Sequence, residues 1–187
     1  MMLLVAVICV ALVFEFLNGF HDTANSVSAA VGTKVLTPNR AIALAAVMNL
    51  CGALAGTAVA ATVGKGLVQA ECVSGATLIC GLGGAIFWNL LTWWLGLPSS
   101  SSHALIGGLI GAAVASAGNS LSVVIWSAPI PGKPWYAWGG LLYKVIIPMF
   151  SSPIIGFVAG FIAMTLLYLV LGSFTVSSIN KVFRKGQ

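Results

Sequence analysis

Residues 15–28 read EFLNGFHDTANSVS, and within them Glu15, Asn18, Asp22 and Asn25 recur at steps of three, four and three. On a continuous helix that spacing puts all four on one face, and Ser28 extends the stripe. The run directly follows MMLLVAVICVALVF, which is apolar throughout. A charged side chain at the centre of a membrane helix costs about 2.5–3.5 kcal/mol on insertion scales. Two carboxylates on one stripe therefore imply partners, a water-filled cavity or bound cations. A polar seam that glues helices together accounts for Asn18 alone but not for Asp22 with Asn25.

A second constellation is Pro98-Ser99-Ser100-Ser101-Ser102-His103. Consecutive hydroxyls at a helix start stand beside unpaired backbone N–H groups and the positive end of the helix dipole, which is what an oxyanion needs. Ordinary N-capping needs only one of these serines. A Ser–His nucleophile pair is disfavoured, because adjacent Ser102 and His103 diverge on a helix and no third orienting residue stands out. The chain is accordingly not read as an enzyme. An anion site beside Asp22 is consistent if a coupling cation lies between them, or if protons on the anion donate to the carboxylate. Both arrangements make anion affinity depend on a second ion, which is the logic of a symporter.

The elements that must position these groups are membrane helices. Of 187 residues 59% are hydrophobic and 6% charged, with a mean hydropathy of +1.07. Soluble domains carry about 25% charged residues, so a water-facing surface cannot be built from this supply. Long unbroken apolar runs and 22 glycines fit an all-α integral membrane protein rather than a barrel. The first apolar run lacks a basic leader and a small-x-small cleavage site, so it reads as a retained span. Cys9, Cys51, Cys72 and Cys80 show neither zinc nor disulfide spacing.

The first helix is expected to reach about Val31, bent or broken near Gly19. Thr37-Pro38-Asn39-Arg40 marks a helix start, and a second span runs from Ala41 to Val63. A short link with Gln69 and Glu71 leads into Gly75–Leu95, then GLPSSSS, then a helix over Ser102–Ala117. The latter is short for a full crossing, so the pair reads as a re-entrant hairpin. Residues 118–139 read as a surface connection, with Trp126, Trp135 and Trp138 in an interfacial belt. A short helix over 140–150 is expected to end near Ser151-Ser152-Pro153, with a last span over Ile154–Leu171. Gly52/Gly56, Gly107/Gly111 and Gly156/Gly160 form GxxxG pairs, read as intramolecular packing sites.

Lys34 and Arg40 lie in one connection, and Lys181, Arg184 and Lys185 in the tail, with a net charge of +5 overall. An even number of crossings separates the two clusters, so both share a side. The positive-inside rule makes that side the cytoplasm and puts the N-terminus outside a cell (inner) membrane. The expected division is a transmembrane unit over 1–172 and a basic cytoplasmic tail, or the start of a central loop, over 173–187. Nucleic-acid binding is excluded by the lack of a basic soluble domain or aromatic platform.

NGFHDTANSV together with GLPSSSSHALIGG resembles the PiT family of inorganic phosphate transporters, and the likeness continues through SSPIIGF and INKVFRKGQ. The resemblance implies phosphate uptake coupled to Na⁺ or H⁺, with phosphate held between a broken first helix and a hairpin loop. By motif, Asp22 and Asn25 would contact phosphate or the coupling ion, and Ser100, Ser101 and Ser102 would bind phosphate oxygens. Glu15 is a further coupling-ion candidate. Members of the family carry two inverted copies of this unit, whereas one GFHDTAN and one PSSSSH occur here. The expected partners are inorganic phosphate, the bilayer and a second inverted repeat. A sulfate permease of the same family and a non-transporting membrane subunit are the competing readings.

Overall fold

The computed structural model describes residues 1–55 and 66–171. They form five long helices: α1 (Met2–Gly32), α2 (Pro38–Ala55), α3 (Gly75–Trp94), α4 (Ser101–Ser116) and α5 (Ile147–Leu171). Four helical segments are long and apolar enough to cross a membrane, the last running Leu142–Val170. Their apolar side chains face outward: Phe150, Ile154, Phe157 and Phe161 of α5 are all exposed. Water would not tolerate that surface, so this is an all-α membrane protein.

α1 is one unbroken helix through Gly19, which corrects the expected interruption. The physical reason is backbone satisfaction. A glycine inside a helix costs about 1 kcal/mol, whereas a break within lipid would orphan several N–H and C=O groups with no water to pair them. The same argument explains α5. A π-turn over Leu142–Ile146 feeds directly into it, and Pro153 sits inside the helix rather than ending it. The expected stop at Ser151-Ser152-Pro153 is therefore also corrected. α2 begins at Pro38 as expected, while its anticipated course from Gly56 to Val63 lies outside the described residues, as does the basic tail.

α3 and α4 form an antiparallel hairpin with their backbones in contact. A Cβ added at Gly81 would lie 3.1 Å from Leu109 Cα, and one at Gly108 would strike the Gly81 carbonyl oxygen. Only hydrogen atoms fit there. Thr77, Gly81, Ala85 and Asn89 recur every four residues on the buried face of α3, opposite Ser101, Leu109 and Ala113 of α4. The expected GxxxG glycines are not the packing ones: an added Cβ would meet nothing within 4 Å at Gly52, Gly107, Gly111, Gly156 or Gly160. Their partner Gly56 lies outside the described residues.

At the open end of the hairpin the 118–139 segment is more than a surface connection. Val123 and Val124 are buried with Leu67, Val68, Leu109, Ala113 and Leu141. Ile125 N–H donates to Leu67 C=O at 2.9 Å and Gln69 N–H to Val123 C=O at 2.9 Å. These bonds pin the segment beneath the hairpin. Trp126 and Trp135 nevertheless remain exposed, in keeping with an interfacial position.

α1 runs alongside α3 in the same direction: the Leu3 side chain covers Gly75, and Phe20 meets Trp93 edge to face at 5.8 Å. The hairpin tip thus stands level with residues 20–25 of α1. α1 then continues to Gly32, about 10 Å or more beyond the tip at 1.5 Å per residue.

Candidate functional site

The hairpin tip is shaped by its two helix ends. α3 closes in a Schellman motif, with Gly96 N–H donating to Trp93 C=O at 3.0 Å and Leu97 N–H to Thr92 C=O at 2.8 Å. Gly96 takes φ +67°, a conformation that costs a side chain about 1–2 kcal/mol. Pro98 and Ser99 then lead to Ser100, the extended N-cap of α4, whose Oγ accepts from His103 N–H at 3.4 Å. His103 Nδ1 lies 2.7 Å from the same Oγ. The Ser–His pair that forms is therefore Ser100 with His103, three residues apart, and it serves the helix start.

Two cavities flank this tip. One, about 430 Å³, is lined by Phe20, His21, Ala24 and Asn25 of α1 together with Trp93, Gly96, Leu97, Pro98 and Ser99. The other, about 550 Å³, is lined by Gly84, Trp88, Pro98, Ser99, Ser100, His103, Ala104, Gly107 and Gly108. The first joins the two motifs singled out from sequence. Its polar groups are the His21 imidazole, the Asn25 carboxamide and the Ser99 hydroxyl, a set that can both donate to and accept from a small oxyanion.

The polar face of α1 divides in two. Asn25 lines the smaller cavity, while Asn18 and His21 each carry a buried ring or carboxamide atom without a protein partner. Glu15 and Asp22 are exposed, as Asn25 is, but line neither cavity. Ser26 and Ser28 are satisfied locally, donating to Thr23 C=O at 3.0 Å and Asn25 C=O at 2.9 Å. Of the hairpin serines, Ser100 lines the larger cavity, Ser101 is buried with its Oγ unpartnered, and Ser102 is exposed and lines neither. His21 and Ser99 line the smaller cavity although the family motif assigns neither of them a phosphate contact. The signal available was position: His21 falls on the Phe14 side of α1, the side that α1 buries.

Among the described residues no group of three or more His, Cys, Asp or Glu is placed to hold a metal ion. The four cysteines are free, Cys72 partly buried and the others exposed.

The chain is 43% identical over 185 residues to a probable low-affinity inorganic phosphate transporter of Mycobacterium leprae, covering 99% of this chain and 41% of the relative. A probable low-affinity inorganic phosphate transporter of Streptomyces halstedii is 48% identical, with 85% of this chain and 68% of the relative aligned. The low-affinity inorganic phosphate transporter PitA of Escherichia coli is 34% identical, over 78% of this chain and 30% of the relative. The chain thus spans less than half the length of the first and third of these. No solved structure matches it. A model of the phosphate transporter family matches residues 18–184, which takes in α1 from Asn18, the hairpin and α5, and the chain belongs to that family.

Proposed function

We propose that the chain is one inverted-repeat half of an inorganic phosphate transporter, working by symport with Na⁺ or H⁺. The observation that carries this reading is the cavity between α1 and the hairpin tip, where His21, Asn25 and Ser99 converge. Phosphate would be held there by side-chain hydrogen-bond donors and the positive start of α4, with Ser100, Ser101 and Ser102 supplying further hydroxyls as the tip adjusts. Glu15 and Asp22 stand on the open flank of α1, where a complementary half would complete the shell. There they would bind the coupling cation, or accept from a protonated phosphate. The complementary half is a second repeat in the same chain, another copy or a partner chain.

The hairpin enters and leaves on the side of the α1 N-terminus, and its tip ends short of the far end of α1. This favours a re-entrant hairpin with the N-terminus outside and the Lys34/Arg40 connection in the cytoplasm.

The test is uptake of labelled phosphate into proteoliposomes holding the chain and its complementary half, with and without a Na⁺ or proton gradient. Gradient-dependent uptake is expected, resistant to excess sulfate. Competition by sulfate would make the protein a sulfate permease, and absent uptake of either anion would make it a non-transporting subunit.

A further inference from the structure

Five side-chain atoms among the described residues are buried without a protein hydrogen-bond partner: Asn18 Oδ1, His21 Nε2, Asn89 Oδ1, Asn89 Nδ2 and Ser101 Oγ. Asn89 is 0% and Ser101 2% exposed. The five are not scattered. With Gly81 set against Leu109, eight residues forward on α3 and eight back on α4 bring Asn89 level with Ser101. With Leu3 against Gly75 and Phe20 against Trp93, Asn18 and His21 come within about one turn of the same level on α1. These five atoms thus occupy one layer of the α1–α3–α4 junction.

The hydroxyls of Ser26, Ser28, Thr92 and Ser116 donate to carbonyls of their own helices, as Thr92 Oγ1 does to Trp88 C=O at 2.9 Å. A carboxamide at Asn89 has no such local solution. An unpaired buried amide bears its full desolvation cost, and a water held by two to four polar groups is the usual remedy. Asn89 offers a donor and an acceptor, Ser101 offers both, and Asn18 and His21 face them from α1.

The geometry points to Asn89 as a positioning residue: the hub of a buried joint, closed by bound water, that fixes the first residue of α4 against the polar segment of α1. Ser101 adjoins the Ser99–Ser100 tip, and His21 belongs to both the joint and the α1–tip cavity. The joint therefore sets the distance across which that cavity is built. Its bearing on phosphate rests on the function proposed above, but its existence does not.

The experiment is amide hydrogen exchange on the chain in lipid nanodiscs, comparing the wild type with Asn89→Leu and Asn18→Leu. Leucine fills a similar volume and removes the polar demand, so the hairpin should keep its thermal midpoint. Exchange over residues 97–104 should rise about tenfold while residues 105–116 stay protected. Unchanged exchange at the tip, or a uniform loss of protection with a lowered midpoint, would overturn the joint. Asn18→Leu reads it from the other helix should Asn89→Leu fail to fold. In proteoliposomes with the complementary half, Asn89→Leu should raise the phosphate KM about tenfold with kcat held, as expected for lost positioning rather than lost chemistry. An unchanged KM with a loosened tip would break the link to substrate. Lack of uptake by the wild type would overturn the phosphate reading and leave the exchange result standing.

Discussion

The hairpin and α5 are made of similar residues and face opposite demands. Both are apolar and glycine-bearing, yet α3 and α4 pack so closely that Gly108 admits no methyl group and Gly81 only by displacing Leu109, while Gly156 and Gly160 of α5 meet nothing. Among the described residues of α5, none from Ile154 onward is buried. Small residues in a membrane helix thus mark an available close approach, and which approach is taken depends on the partner present. The hairpin finds its partner within the chain. α5 presents its surface to lipid or to another protein.

The comparison can be broken most directly at Gly108. Gly108→Val should force the hairpin apart and cost about 3 kcal/mol or more, read as a fall in the thermal midpoint in detergent. Gly107→Ala, one residue away with open space around it, should not lower the midpoint. Asn25→Leu probes the site that the hairpin holds in place. It removes one cavity donor and should raise the phosphate KM by about tenfold or more, measured by proteoliposome uptake, without changing the midpoint. Asp22→Asn sharpens the division of the α1 face, because it should abolish gradient-dependent uptake while folding is retained; full coupled uptake by this variant would remove Asp22 from the mechanism. A smaller effect is expected at Lys34, which holds φ +58° just after α1. Lys34→Gly should stabilise by about 0.5–1 kcal/mol, visible as a raised midpoint. Gly156→Ala should leave the isolated chain as stable or raise its stability by up to about 1 kcal/mol. Any loss of association with a complementary half would show that α5 is the side that half occupies.

The helices were largely legible because long apolar runs leave few alternatives in lipid. The Pro38 start, the hairpin limits near Gly75, Trp94, Ser101 and Ser116, and the capping serine all follow from local chemistry. Continuity through Gly19 and Pro153 was not legible from rules for helices in water, where a glycine or proline readily ends a turn. In lipid the orphaned backbone makes a break the worse outcome. The polar face of α1 was legible as a face, but its division was not, since sequence does not say that the hairpin half-buries Asn18 and His21 and leaves Glu15, Asp22 and Asn25 exposed. Asn89 was hidden as a lone carboxamide in FWNLLTWW. Its place in the Thr77, Gly81, Ala85 series was the available clue, because small and polar residues every fourth position trace the helix contact.

Pro98 and Ser99 border both cavities at the tip, so a two-residue segment divides about 430 Å³ from about 550 Å³. A shift of that segment would alter both clefts at once, without any helix having to move. Bulk introduced at residue 99 would then act as a bias on the partition, closing one chamber while leaving the other free.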